Sequence, residues 1–355
     1  MPAQLKAITA FIRLNDPAQR NCSVGRTLGI LSDAWTFLVI REAFFGIRRF
    51  HDFREELNIP RATLTARLAW LTSSGIFYRR QYERFPKRCE YLLTEKGLDL
   101  YPSFLALMGW GDRWLCGKRR PPVSLQHQKC GRWIEPKPYC SHCGQEVMPD
   151  QVDYRDGPGA GFSSASSFAA MRRVRRISDA GTFLRGRRCS VARTLKIIGD
   201  RWSFLVMREA FFGVRHYDEF CRNLRISTNI LADRLRAMLA EGIFFRAPYQ
   251  GHREHQEYRF TEKGKQLYPS MIAMMHWGDK WLAGENGPPL ILCHRVCKQP
   301  FHLVVACSYC GQELKAREVK YKSRDRHPEL RRRGRSYRGL ARDRRTLAPG
   351  TASAT

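Results

Sequence analysis

The stretch Arg49–Thr94, RFHDFREELNIPRATLTARLAWLTSSGIFYRRQYERFPKRCEYLLT, decides the fold. Phe53 and Leu57 give a short helix one apolar face. Asn58-Ile59-Pro60 interrupts it, because proline fixes its own φ and biases the residue before it away from helix. A second helix is expected over 61–74, where Leu64, Leu68 and Leu71 fall at i, i+4 and i+7 and form one buried stripe. Arg61, Ala62, Thr63, Thr65 and Ala66 lie mostly off that stripe near the helix start, and Gly75 ends it. Ile76-Phe77-Tyr78 and Glu90-Tyr91-Leu92 read as strands flanking the basic loop QYERFPKRC. A helix with a small, polar N-terminal half followed by a basic hairpin is what a winged helix presents to a DNA major groove.

The whole element occurs twice. A shift of 167 residues aligns the chain with itself without a gap from Cys22 to Gln145, and about half of the positions from Cys22 to Trp114 are identical to their counterparts. CSVGRTLGILSDAWTFLVIREAFFG meets CSVARTLKIIGDRWSFLVMREAFFG, and WGDRWL meets WGDKWL. Two copies are too few for a solenoid, so two tandem domains are expected.

Around the decisive stretch, Val24, Leu28 and Leu31 mark a first helix from Cys22, and Asp33 is placed to cap the next, which is apolar almost all round. After the hairpin, Leu98, Tyr101, Phe104, Leu105, Met108, Trp110 and Trp114 run along a long helix with Pro102 in its first turn. That face reads equally as core or as a surface between domains or chains. The expected divisions are an arm at 1–21, winged helices at 22–115 and 189–282, cysteine modules at 116–150 and 283–320, a Gly/Ser-rich then basic flexible linker at 151–188, and a disordered basic tail at 321–355.

Charge sets the class of partner. The 62 Lys and Arg against 33 Asp and Glu leave a net charge of +29, far from the usual range for a soluble enzyme and suited to a polyanion. Lys322–Arg345 accounts for only eleven Lys/Arg against three acidic residues, so most of the excess lies in the rest of the chain. No apolar run is long enough to span a bilayer and the start lacks a secretory core, so a cytoplasmic, nucleoid-associated location without membrane contact is expected. In that compartment the 12 cysteines are expected as metal ligands or free thiols.

Each winged helix is followed by one spacing: His127-x₂-Cys130-x₉-Cys140-x₂-Cys143-Gly144, then His294-x₂-Cys297-x₉-Cys307-x₂-Cys310-Gly311. Three cysteines and one histidine match a closed tetrahedral Zn²⁺ site, so two structural zinc ions are expected, one per copy. The surroundings differ widely between copies (RWIEPKPY against KQPFHLVV) while the four ligands remain. His142 lies inside the first C-x-x-C and Cys293 adjoins His294, so either could replace the assigned histidine. No Ser/His/Asp set or phosphate-cradling glycine loop stands in a suitable context, so no enzyme is expected.

Cys-x-x-x-Arg-Thr-Leu, the Trp-bearing aliphatic helix, Gly-x-Arg-x-Phe, Leu-x-x-Arg-Leu, Gly-Ile, the Glu-Tyr strand and Leu-Thr-x-x-Gly resemble the HxlR family of bacterial and archaeal winged-helix transcription regulators, over about 22–114 and 189–281. The cysteine modules resemble the zinc-ribbon-like extension of some members. The resemblance implies sequence-specific binding of double-stranded DNA through the helices at 61–74 and 228–241. Family members are usually homodimers, so a covalent tandem is expected to form its own pseudo-dimer or a further homodimer. In some members the cysteine that opens the domain senses oxidants, and Cys22 and Cys189 match that position; a half-buried structural cysteine is the plainer reading.

The copies diverge where bases would be read: Arg61, Ala62, Thr63, Thr65 and Ala66 stand against Thr228, Asn229, Ala232 and Asp233. Arg61 could address guanine, Asn229 adenine and Asp233 a cytosine amino group; the rival reading is that Asp233, facing phosphates, marks the second copy as a degenerate partner domain. Phosphate contacts are expected from Arg48, Arg49, Arg79, Arg80, Arg84, Lys87 and Arg88, with Arg215, Arg246 and Arg253 in the second copy. The fold expected is α+β, two tandem winged-helix domains each with a zinc-ribbon-like module. The function expected is a sequence-specific DNA-binding regulator, by expectation a repressor, with an unidentified effector. Alternatives are an architectural or protein-interaction module, and a thiol sensor.

Overall fold

The computed structural model describes residues 19–31, 33–85, 88–117, 120–163, 189–249 and 252–323, without the side chains of 19–20, 162–163, 249, 252–255 and 323. Most of the expected arm, linker and tail (1–18, 164–188 and 324–355) lies outside the described residues.

The first repeat begins with β1 (Gln19–Arg20), α1 (Ser23–Ile30) and α2 (Ala34–Phe44). Cys22 caps α1, its sulfur accepting from the Gly25 amide at 3.3 Å, and Asp33 caps α2 by accepting from the Thr36 amide at 3.0 Å. Then come α3 (Phe50–Leu57), α4 (Arg61–Ser73), β2 (Phe77–Glu83) and β3 (Arg88–Leu93). Asn58, at φ 48, ends α3 in the left-handed conformation that asparagine tolerates, so the break before α4 rests on Asn58 as well as on Pro60. Gly75, at φ 72, ends α4. The hairpin runs Phe77↔Leu93 to Glu83↔Arg88, so its strands are longer and its loop shorter than the sequence suggests. A short α5 (Glu95–Leu98), capped by Thr94, leads into α6 (Tyr101–Leu115), with Pro102 in its first turn.

Three strands follow: β4 (Val123–His127), β5 (Trp133–Ile134) and β6 (Pro136–Cys140). The chain then enters β7 (Val152–Asp156) and β8 (Phe162–Ser163), which pairs with β1. The linker expected from 151 is thus strand and turn up to 163.

The second repeat follows the same plan: α7 (Ser190–Ile198), α8 (Arg201–Phe211), α9 (Tyr217–Leu224), α10 (Thr228–Ala240), β9 (Phe244–Tyr249), β10 (His252–Phe260), α11 (Glu262–Lys265) and α12 (Tyr268–Leu282). It ends with β11 (Leu290–His294), β12 (Gln299–Pro300), β13 (Leu303–Cys307) and β14 (Val319–Ser323), so the expected tail begins as strand.

The two repeats interlock. α1 packs on α12, α7 packs on α6, and α6 packs on α12. Trp110 donates its indole N–H to the Lys263 carbonyl at 2.9 Å, and Trp277, its counterpart, donates to the Lys96 carbonyl at 2.8 Å. Trp114 reaches Gln266 and Trp281 reaches Asp99 in the same reciprocal way. The aromatic face of the long helix is therefore the surface between repeats, and Phe37 stacks on Phe204 at 6.3 Å in a core continuous through both.

The cysteine modules are exchanged as well. β7 of the first repeat pairs with β11 of the second, and β14 of the second with β4 of the first. β6 pairs antiparallel with β13, with Pro138 opposite its own counterpart Val305. Tyr154 on β7 packs on Phe212 at 5.1 Å, and Tyr321 on β14 packs on Phe45 at 4.4 Å. The modules at 116–150 and 283–320 are thus one interleaved body with shared sheets. Among the described residues no helix is long and apolar enough to cross a membrane.

Candidate nucleic-acid interface and metal clusters

The two recognition helices are held alike and decorated differently. Leu64, Leu68 and Leu71 are buried under α4, and Leu231, Leu235 and Met238 under α10. Arg67 pairs with Asp33 at 2.7 Å and Arg234 with Asp200 at 3.0 Å, so the aspartate that caps the second helix of each repeat also anchors its recognition helix. Arg61, Ala62, Thr65 and Ala66 are exposed and Thr63 is half-buried. Thr228 and Asn229 are exposed, while Ala232 and Asp233 are half-buried. Asp233 lies 3.0 Å from Arg236, which offsets its charge toward any phosphate.

The basic residues divide by their partners. Arg49 is exposed, with its guanidinium 4.6 Å over the Tyr82 ring, and Arg48 beside it is half-buried. Arg79 and Arg84 are exposed, Arg79 lying 5.9 Å from the Tyr91 ring centre. Arg80 is tied to Glu90 at 2.6 Å and Arg88 to Glu83 at 3.4 Å. Lys87 lies outside the described residues, as does the side chain of Arg253. Arg246 is exposed and lies 5.9 Å from the Tyr258 ring centre. Arg215 turns inward instead, donating to the carbonyls of Ala210 and Val214 (2.9 Å to the latter). Burial lowers its pKa from the ordinary guanidinium value. Sequence cannot separate such a carbonyl-bound arginine from a free one.

The eight Cys and His residues expected as ligands assemble in two clusters, but in a different combination. One contains His127, Cys130, Cys307 and Cys310; the other contains Cys140, Cys143, His294 and Cys297. Each takes His-x₂-Cys from one repeat and Cys-x₂-Cys from the other, which corrects the expectation of one site per copy. The cause is the strand order: β6 and β13 cross the pseudo-twofold side by side and deliver each C-x-x-C to the opposite repeat. His142 and Cys293 are in neither cluster.

The geometry suits one metal ion in each. Both histidines are fully buried and present Nδ1 to the sulfurs, with Nε2 unpartnered. His127 Nδ1 lies 3.5 Å from Cys130 Sγ and 3.3 Å from Cys310 Sγ, and Cys130 Sγ lies 3.8 Å from Cys307 Sγ. In the other cluster His294 Nδ1 is 3.3 Å from Cys143 Sγ and 3.7 Å from Cys297 Sγ. Ligands about 2.0–2.3 Å from a tetrahedral zinc ion stand about 3.5–3.8 Å apart, so the donor set and spacing fit. Backbone amides of His142 and Tyr309 donate to Cys140 and Cys307 at 3.4 Å, and Gly144 and Gly311 take the positive φ that each turn requires. None of the twelve cysteines forms a disulfide.

Cys22 and Cys189 lie where the repeats meet. Arg41 of the first repeat donates to Cys189 Sγ at 2.7 Å and contacts Glu42. Burial opposes the charge of Arg41, but Cys189 and Glu42 more than offset it and raise its pKa. Arg208 stands in the same relation to Cys22 and Glu209. Two further features escaped the sequence reading. Gly111 and Gly278 let the helices touch, and Asp112 and Asp279 hydrogen-bond Ser190 and Ser23 across the interface. The repeated Trp-Gly-Asp-x-Trp was the available signal for both.

Each repeat is similar to known proteins. The model of the HxlR-like helix-turn-helix family matches twice, at 30–119 and 197–286. An uncharacterized HTH-type transcriptional regulator of Mycobacterium tuberculosis is 45% identical over 145 residues, which are 41% of this chain and 92% of the relative. That relative therefore has the length of one repeat. The HTH-type transcriptional regulator YdeP of Bacillus subtilis, also uncharacterized, is 33% identical over 94 residues, covering 26% of this chain and 73% of YdeP. Among solved structures, PA1607 is 38% identical over 39% of this chain and 95% of its own, with a TM-score of 0.35. The redox regulator HypR in its reduced form is 32% identical over 25% of this chain and 90% of its own, with a TM-score of 0.24. The chain belongs to the HxlR-like helix-turn-helix family of DNA-binding transcriptional regulators, and it carries two copies of the family's domain in one polypeptide.

Proposed function

We propose that this regulator reads a DNA site with two unlike halves, using α4 for one and α10 for the other. One observation carries the reading: two recognition helices anchored identically by Arg67–Asp33 and Arg234–Asp200 expose different residues at their starts. A homodimer must read two equal half-sites, whereas a fused pair is free of that constraint. With both helices on one duplex, the half-sites stand about one helical turn, roughly 34–36 Å, apart. Arg61 addresses one half, and Thr228 and Asn229 the other, while Arg49, Arg79, Arg84 and Arg246 meet phosphates. Zn²⁺ fills both Cys₃His clusters in a structural role, since four protein ligands leave no open position. The sense of regulation we propose is repression by occupancy of the operator.

The test is selection of bound sequences from a random duplex pool by the zinc-loaded chain at moderate salt. A motif with two unlike halves, each needed in a band shift, is the expected result. Loss of sequence preference, with tight binding only at low salt, sinks the reading and favours an architectural role. A second reading has its own observation, the reciprocal pairing of Cys22 and Cys189 with arginines of the opposite repeat. Oxidation at either thiol would disturb both halves. Unchanged DNA affinity after thiol oxidation, with metal retained, removes that reading.

A further inference from the structure

The first repeat's hairpin ends in an apolar side chain that the fold does not use. Phe85 is 91% exposed, the most exposed of the large apolar side chains described. It stands in the turn between β2 and β3, where polar turn formers or glycine would be ordinary. A bare phenyl ring in water gains nothing for the folded state, and its burial against a partner removes roughly 150–250 Å² of surface from water.

The surroundings select the partner. Arg84 precedes Phe85 and is exposed; Arg79 on β2 is exposed as well, and so is Arg49, which lies over the exposed ring of Tyr82 on β2. The acidic residues of the hairpin, Glu83 and Glu90, are matched by Arg88 and Arg80. An apolar tip framed by cations fits a surface whose edges are anionic and whose interior is aromatic, which describes a stacked base step between phosphates. Proteins that kink duplexes insert phenylalanine or another apolar wedge into a step from the minor groove. The second hairpin differs in kind. The counterpart of Phe85 is His252, and from Phe244 to Phe260 there are three Arg and two Glu, against five Lys/Arg and two Glu from Phe77 to Leu93.

We propose that Phe85 is such a wedge. With α4 in the major groove, the tip of the β2–β3 hairpin reaches the flanking minor groove, where Phe85 enters one base step and bends the duplex on the first repeat's side alone. Pyrimidine–purine steps unstack most easily, so the site carries TA or CA/TG at that point, a preference set by deformability rather than by hydrogen bonds. This inference rests on the DNA reading above and adds a residue and a step to it.

The experiment uses the full zinc-loaded chain, the duplex recovered by selection, and the variants Phe85→Ala and Phe85→Leu. 2-Aminopurine is placed at successive positions across the first half-site, and end-to-end energy transfer reports the bend. The expected result is a fluorescence rise at one step with the wild-type chain and a clear bend. Phe85→Ala loses both and binds about tenfold more weakly, while Phe85→Leu retains most of each. Phe85 lies outside the core, so the variants keep the fold, and their metal content and binding to a scrambled duplex stay unchanged. No fluorescence rise with the wild-type chain, or an unchanged bend and affinity in Phe85→Ala, overturns the wedge while leaving the selected motif standing. A change in oligomeric state of Phe85→Ala without DNA also overturns it, because the ring would then cover a second copy. Failure to recover any motif is the separate failure of the reading beneath it.

Discussion

At Gly111 a Cβ would stand 2.6 Å from both the Ser190 carbonyl and Thr194 Oγ1, and at Gly278 it would stand 2.5 Å from the Ser23 carbonyl. Alanine gains roughly 1 kcal/mol over glycine within a helix, but overpacking against fixed backbone costs about 1–3 kcal/mol. Gly111→Ala is therefore expected to lower the melting temperature, and Gly111→Ala with Gly278→Ala to lower it further; unchanged thermal denaturation would contradict the close approach. Asp112 and Asp279, beside these glycines, are both pushed up to about 6 by burial, against the hydrogen bonds from Ser190 and Ser23 and the nearby Arg193 and Arg26. Both folded values lie above the ordinary aspartate value, so the folded chain binds more protons between about pH 4 and 6. Their contribution to stability is fullest at the acidic end of that window and falls as pH rises through it. Asp112→Asn with Asp279→Asn should flatten that part of a pH–stability curve measured by denaturant unfolding. The glycine and the aspartate were present in the sequence as a repeated Trp-Gly-Asp-x-Trp, yet nothing local said what they touched.

Among the elements, the crossing of β6 and β13 has the largest consequence, because it determines which cysteines come together in one cluster. The assignment separates two double variants. Cys130→Ser with Cys310→Ser removes ligands from one cluster and should leave about one zinc per chain, while Cys130→Ser with Cys143→Ser damages both and should leave almost none. The opposite ranking, read by elemental analysis, would restore one site per repeat. Both ligand pairs of each copy were legible from spacing alone; their partnership was not, since a C-x-x-C turn is complete within four residues and carries no record of the strand that delivers it. The recognition helices show the converse. α4 and α10 fall within a residue of the ends expected from their leucine spacing, because a buried stripe and a terminating glycine are local facts.

For the whole molecule, the fused repeats interlock through their helices and strands. The excess of 62 basic over 33 acidic residues predicts steep salt dependence, with log affinity falling by about 0.9 per phosphate contact for each unit of log salt. Arg49→Ala, Arg79→Ala and Arg84→Ala should each reduce that slope by about one and weaken all sequences alike, whereas Arg61→Ala should relax preference at one base pair. Arg215→Ala should leave the slope unchanged, because its guanidinium is occupied by backbone carbonyls. Titration of labelled duplex at several salt concentrations distinguishes these outcomes; a slope change in Arg215→Ala equal to that in Arg79→Ala would contradict the inward placement.

The sequence by itself determined the winged-helix elements, their duplication, the residues able to bind metal and the divergence between the starts of α4 and α10, since each is written in periodicity, spacing or a direct comparison of two stretches. The tertiary structure alone decided that the tryptophan face joins the repeats, that 152–156 and 319–323 are strands laid on the opposite half, and that each metal cluster is shared. The reason is a degeneracy. Two repeats built on one plan offer every element the same kind of partner twice, once in its own copy and once in the other. Local pattern cannot choose between them; the pairing of β7 with β11, β6 with β13 and β4 with β14 does.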